Sequence, residues 1–199
     1  MMTDRNRTAD NDLEWEEIRC EHLVQDEWID FRRSAYRLPD GSVFEPFYSY
    51  SRRNFVVIVA TDEEGNYICV KQYRHGIQRV TTEFCAGGIE RTDGKEYGGK
   101  QDGASEDALA AAKRELEEET GYASAEWRHL FTVPAQPTIA DNFAIIFEAK
   151  NCRKISSQHL DETEFLNTVL LSREELAGYI EDGSFPQPVH ILGLMLSEQ

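Results

Sequence analysis

Basic residues are scarce in this chain. Lys and Arg number 21 against 37 Asp and Glu, which leaves a formal net charge of −16. A nucleic-acid partner needs a basic footprint that releases phosphate counterions, so that class of function is excluded. Long apolar runs are also missing: none approaches the ~20 residues that span a bilayer, and no membrane partner is expected. The first dozen residues, MMTDRNRTADND, hold no apolar h-region. They read as a disordered tail (1–12) rather than a secretory leader, and a cytoplasmic location is expected. Cysteines are few and dispersed. Cys20, Cys69, Cys85 and Cys152 form no CxxC pair, which argues against a disulfide framework or a thiolate zinc site. The five histidines are scattered without ligand spacing and read as surface or packing residues.

What is present is a chain of 199 residues, 40% hydrophobic and 11% aromatic, enough for one core with a small appended subdomain. Residues 13–51 read as short strands, with Pro39-Asp40-Gly41 as a turn between WIDFRRSAY and the stretch from Ser42 to Tyr50. This stretch is expected to form a small antiparallel β subdomain, and 52–199 the main domain. Asn54 to Ala60 (NFVVIVA) is a continuous apolar run, as in a strand buried on both faces. Tyr67–Tyr73 and Val80–Ala86 follow as strands, and Gly87-Gly88 opens a polar, glycine-rich loop to Gly103. A helix capped by Ser105 runs to Thr120, with Gly121 as its C-terminal stop and Leu109, Ala112 and Leu116 as its core stripe. Strands at Trp127–Val133, Asn142–Ala149 and Phe165–Leu171 follow. Ser172-Arg173-Glu174-Glu175 is a capping box, and Pro188 opens the last helix. Strands, helix, strands, helices: the order predicts an α/β (α+β) sandwich around a mixed sheet.

The segment that carries chemistry is Arg114-Glu115-Leu116-Glu117-Glu118-Glu119-Thr120-Gly121-Tyr122, with Glu106 eight residues ahead of Arg114. At about 100° per residue, Glu115, Glu118 and Glu119 fall on adjoining sectors of one helix surface. Carboxylates so crowded repel one another. A divalent cation turns that repulsion into coordination, and Mg²⁺ prefers carboxylate oxygen and water. Arg114 stands four residues before Glu118 and can steer it by a charge-assisted hydrogen bond. The plain alternative is a solvated acidic face.

The spacing Glu106, seven residues, then Arg-Glu-Leu-x-Glu-Glu-x-Gly-Tyr resembles the Nudix box, G-x5-E-x7-R-E-U-x-E-E-x-G-U, at every fixed position of its second part. The first glycine of that pattern falls at Lys100. Ala86-Gly87-Gly88-Ile89-Glu90 is similar to the family's loop opening and is followed by an insertion from Arg91 to about Gly103. Gln72-Tyr73-Arg74 and Glu83-Phe84-Cys85-Ala86-Gly87 resemble segments of the ADP-ribose and nucleotide-sugar pyrophosphatases, with Cys85 where proline is usual.

This resemblance implies a Nudix-type α/β/α sandwich and a hydrolase dependent on Mg²⁺ (Mn²⁺ substituting) that cleaves the diphosphate of a nucleoside-diphosphate sugar. ADP-ribose, giving AMP and ribose 5-phosphate, is the leading expectation. UDP-glucose and GDP-mannose are rivals, and a non-catalytic nucleotide-binding module is the rival of another class. It further implies metal ligation by Glu115, Glu119 and the Ala86 carbonyl, with Glu118 as ligand or partner oriented by Arg114, and Glu106 in support. Glu162 and Glu164 are the candidate proton acceptors. Arg74 and Arg53 would face phosphate, Glu83 a ribose hydroxyl and Trp28 the base. A homodimer built through the N-terminal strands is implied as well.

Overall fold

The computed structural model describes residues 13–90, 106–161 and 163–199. The expected tail, the proposed insertion, Ser105 and Glu162 lie outside them. The described residues divide into two units. One comprises 13–52 with Gln136–Asp141, and the other 53–90, 106–135, 142–161 and 163–199.

The first unit is an antiparallel sheet of β1 (Glu16–Gln25), β2 (Asp30–Arg37) and β3 (Val43–Ser51), in that order. Asp26 turns the chain between β1 and β2, its Oδ1 accepting from the amides of Trp28 (2.8 Å) and Ile29 (2.9 Å). The β2–β3 turn falls at the expected Pro39-Asp40-Gly41, where Gly41 takes a φ of +83° that side chains disfavour. Trp15, Tyr36, Phe44 and Phe47 gather edge to face on this sheet. Gln136–Asp141 joins the same unit, with the Tyr50 amide donating to the Ile139 carbonyl at 2.8 Å.

The second unit is a seven-stranded mixed sheet. Its strands are β4 (Phe55–Asp62), β5 (Tyr67–Arg74), β6 (Arg79–Gly88), β7 (Tyr122–Ala123), β8 (Glu126–Pro134), β9 (Phe143–Lys154) and β10 (Leu166–Leu171). They run β10-β5-β6-β4-β9-β7, with β8 on β9, and only β4–β9 is parallel. As the apolar run predicts, β4 is buried on both sides. Val56, Ile58 and Ala60 face one core with Leu116 of helix α1 (Ala108–Thr120). Val57 and Val59 face the other, under α2 (Arg173–Glu181) and α3 (Pro188–Ser197). The period-two alternation of a strand therefore sorts one apolar run into two cores. This is the predicted α/β/α sandwich.

Two local expectations are corrected. Gly87 and Gly88 do not open a loop: they end β6, paired with Val56 and Phe55 of β4, because long-range ladder bonds hold glycine extended despite its freedom. The N-cap of α1 is Asp107, not Ser105. Its φ and ψ are extended and its side chain accepts from the amides of Leu109 and Ala110. Glu106 therefore lies outside the helix. The C-terminal stop is as expected, with Gly121 at φ +75°, and Ser172 and Glu175 form the reciprocal capping box of α2. Among the described residues no helix is long and apolar enough to cross a membrane.

Candidate active site

Arg114 is the hub. Its guanidinium donates from Nε and Nη2 to the two oxygens of Glu106 (3.2 and 3.0 Å). From Nη1 it reaches Glu115 (2.9 Å) and Glu118 (3.0 Å), and Nη2 also reaches the Gly88 carbonyl (3.2 Å). A planar five-donor fork can serve this many acceptors at once, which an ammonium cannot. The Arg114 hydrogen bond holds the Glu106 pKa below the usual carboxylate range. The Glu106 backbone amide donates to the Glu90 carbonyl at 2.8 Å, which pins the helix entrance to the end of β6. Four of the five acids and bases that the spacing singled out are thus brought together.

Glu115 and Glu119 are different in kind. Only 7% and 3% exposed, they lie on the buried side of α1 against β6. Burial raises the Glu115 pKa to about 7, with Arg114 opposing and Glu118 and Glu164 adding. Burial raises Glu119 to about 8, with Cys85 and the Ala86 amide opposing and Glu115 and Glu164 adding. The Ala86 amide donates to Glu119 Oε2 at 3.3 Å. Gly87 leaves room for Glu115 in its present position, since a Cβ built there would overlap that carboxylate. Cys85 is fully buried, and burial pushes its thiol well above its ordinary value, with Glu119 adding. A thiol so placed packs and is no nucleophile.

The donor chemistry fits a hard divalent cation. Two carboxylates sunk side by side are costly when ionised, and a doubly charged ion that prefers oxygen removes that cost. Glu115 and Glu119 would hold it, with Glu118, 42% exposed at its side chain, on the open flank. Among the described residues no three donors are already closed around a single point. The Arg114 guanidinium instead draws Glu106, Glu115 and Glu118 toward itself.

The end of α1 also positions the late loop. The last carbonyls of a helix lack partners within it, and here they are met from residues 158, 159 and 168. The His159 amide donates to the Glu118 carbonyl (2.9 Å), Gln158 Nε2 to that of Glu119 (2.6 Å) and Thr168 Oγ1 to the same atom (3.3 Å). The loop continues into a turn closed by the Glu164 amide on the Asp161 carbonyl (2.9 Å). Glu164 is half-buried, and its charge reaches Glu115, Glu119 and Cys85. Of the two candidate proton acceptors, Glu162 lies outside the described residues.

Arg74 and Glu83 pair with each other. Arg74 Nε donates to both Glu83 oxygens (2.9 and 3.0 Å) and Nη2 closes the fork on Oε2. Burial works against charge on Glu83, yet the Arg74 bond keeps its pKa below the ordinary value. Glu83 is 0% exposed, so it touches the guanidinium rather than solvent, while Arg74 remains partly open and feels the Glu119 carboxylate. Arg53 precedes β4. Its carbonyl accepts from Asn142 Nδ2 at 3.2 Å, and its buried Nε has no hydrogen-bond partner among the described residues. Trp28 belongs to the first unit, 66% exposed. Spacing did not reveal Gln158, Gln187 or His190, whose roles depend on contacts distant in sequence, nor Thr81, whose hydroxyl meets Glu83 two residues along β6.

Comparison with known proteins follows the same lines. Residues 51–188 match the NUDIX domain. A methanol dehydrogenase activator of Bacillus methanolicus is 27% identical over 172 residues, covering 83% of this chain and 82% of that protein. An ADP-ribose pyrophosphatase of Bacillus subtilis (strain 168) is 28% identical over 176 residues, covering 85% and 84%. An ADP-ribose pyrophosphatase of Mycobacterium tuberculosis is 30% identical over 147 residues, covering 71% and 62%. The crystal structure of an ADP compounds hydrolase shares the fold, with a TM-score of 0.73 at 20% identity over 93% of this chain and 92% of that one.

Proposed function

Because this chain belongs to the NUDIX domain family, we propose that it is a Mg²⁺-dependent pyrophosphatase whose substrate is a nucleoside-diphosphate sugar, ADP-ribose foremost, cleaved to AMP and ribose 5-phosphate. The observation that carries this reading is the buried Glu115–Glu119 pair beside the Arg114 hub. An ordinary wet acidic face would leave both side chains in solvent. Two pyrophosphatases among the relatives are named for ADP-ribose, which supports the choice of substrate.

A cation bound by these acids would neutralise diphosphate charge and lower the pKa of a water. The protein's own residues do the rest. Arg74, held from behind by Glu83, offers Nη1 and the outer face of its fork to a diphosphate oxygen. Glu164 accepts a proton as the water oxygen bonds to phosphorus and the bridging P–O bond breaks, its electrons leaving on the phosphate product. Arg114 keeps Glu115 and Glu118 oriented throughout. Trp28 and Arg53 stay in the proposal as base and phosphate contacts. So does a homodimer, supported by the exposed Trp15, Val43 and Phe44 of the N-terminal sheet.

The test is a Mg²⁺-dependent screen of ADP-ribose, UDP-glucose, GDP-mannose, NADH and diadenosine polyphosphates, with products identified by mass. AMP and ribose 5-phosphate as the fastest products support the reading. Preference for another sugar nucleotide overturns the ADP-ribose assignment, and no turnover of any of them overturns the enzyme.

A further inference from the structure

The first half of β6 pairs with β5, and only its second half, from Cys85, pairs with β4. One edge of residues 79–84 is therefore left without a strand, and exposed edge amides are groups a fold must satisfy. The segment before and within α3 satisfies them. The Thr82 amide donates to the Ser184 carbonyl at 2.8 Å. The Phe84 amide donates to His190 Nδ1 at 3.1 Å, so an imidazole nitrogen stands in for a strand carbonyl. Arg79 Nη2 reaches the Gly183 carbonyl at 3.0 Å.

Gln187 lies in the middle of this docked segment. It is the N-cap of α3, yet its side chain makes no capping bond. Its Nε2 instead donates to Glu83 Oε1 at 3.3 Å, across 104 residues of sequence. Thr81 Oγ1 donates to the same oxygen at 2.5 Å. A buried carboxylate with four acceptor sites is thereby fixed on one oxygen by two neutral donors and on both by Arg74. Glutamine is a poor N-cap compared with Ser, Thr, Asp or Asn, so the residue gives up a local role for a distant one.

We infer that Gln187 and Thr81 are positioning residues for Arg74. They fix the rotamer of Glu83, and Glu83 fixes the guanidinium that grips the substrate diphosphate. The inference rests on the pyrophosphatase reading above and adds to it a part for the C-terminal segment in substrate affinity.

The experiment is a double-mutant cycle on steady-state kinetics with the sugar nucleotide that the screen selects. Gln187→Leu removes the donor and keeps the bulk. It is expected to raise KM about 3- to 10-fold, the scale of one ordinary intramolecular hydrogen bond, with kcat within about twofold and Tm nearly unchanged. Thr81→Val should act alike and Thr81→Ser should restore the wild-type KM, which keeps the test valid if Gln187→Leu fails to fold. In an Arg74→Ala background Gln187→Leu should add nothing further. An unchanged KM in the single variants, or the same rise in the Arg74→Ala background, overturns the positioning role while leaving the hydrolase intact. Absence of turnover in the wild type sinks both.

Discussion

The backbone of Gly87 and the carboxylate of Glu115 occupy the same small space: a Cβ on residue 87 would overlap the Glu115 carboxyl group. Gly87 has no left-handed φ, so its backbone suits any residue. The obstacle is the far end of a side chain, which can swing away. Gly87→Ala should therefore fold, with Tm within about 3 °C of wild type, while displacing Glu115. A misplacement of ~1 Å at a reacting centre costs on the order of 10²-fold, and kcat/KM should fall by at least that with a weaker Mg²⁺ dependence. Near wild-type kinetics in Gly87→Ala would show that Glu115 does not need its present position.

Gly121 makes the opposite case. It holds φ +75°, and a Cβ there would overlap the backbone carbonyl oxygen of Ser156, which no rotamer change can move. Left-handed backbone costs an L-residue about 1–2 kcal/mol before any clash. Gly121→Ala should lose about 2 kcal/mol or more, lowering Tm by roughly 4–8 °C in a chain of this size. A calorimetric scan with unchanged Tm would contradict the stop geometry.

These two glycines also mark what can be read from sequence. Gly121 ends a helix, a local event with a local signal, and so do the Ser172–Glu175 box and Pro188. The apolar run at Val56–Ala60 identified its own strand because burial on both faces leaves no alternation. Gly87-Gly88 looked like a loop because the pairing with Val56 and Phe55 that keeps them in a strand is set by residues some thirty positions away. Ser105 and Asp107 are both good N-caps by residue type, and residue type alone does not choose between them. For the site, Arg114, Glu115, Glu118 and Glu119 were legible because one helical repeat places them, and Glu106, outside the helix, was legible only through its motif spacing. The Arg74–Glu83–Gln187 chain was not, since no periodicity links β5, β6 and α3.

Glu164 is held by its own turn, with its carboxylate accepting from the Asp161 amide at 3.2 Å, and its charge reaches the Glu115–Glu119 pair. Glu164→Gln keeps the shape and loses the proton acceptor. The expected outcome is a fall in kcat on the order of 10²–10⁴-fold with KM little changed. Should Glu164→Gln retain kcat while Glu162→Gln loses it, the role passes to Glu162.

The buried acids tie stability to pH and metal together. Folded Glu119 titrates at about 8 against about 4.3 for an unperturbed glutamate. A raised carboxylate pKa means the native state binds the extra proton. Its contribution to stability is full below the unfolded value and is lost as pH rises through the folded one. In EDTA, Tm should therefore fall as pH rises from about 5 to about 8.5. Mg²⁺ competes with that proton, so the Tm gained on adding it should grow over the same range. Glu119→Gln should flatten the EDTA slope and shrink the Mg²⁺ gain. An identical slope in that variant would place the titration elsewhere.

His190 has the opposite sign. Burial lowers its pKa to about 4, with Glu83 opposing, against an unfolded value of about 6.5. Its neutral Nδ1 is already used, accepting from the Phe84 amide, so protonation removes an acceptor as well as burying a charge. The unfolded chain binds the proton first. Stability is full above about pH 6.5 and is lost as pH falls toward 4, by about 3 kcal/mol in total. Glu115 and Glu119 push the other way over part of this window, so the raw profile of the wild type mixes the three. The difference from His190→Asn isolates the imidazole, because asparagine can still offer an oxygen to the Phe84 amide but does not titrate. That variant should be the less stable at pH 7, having lost the ring stacked on Phe84, and its deficit should shrink as pH falls to 4. A deficit independent of pH in denaturant unfolding would show that His190 keeps one protonation state throughout.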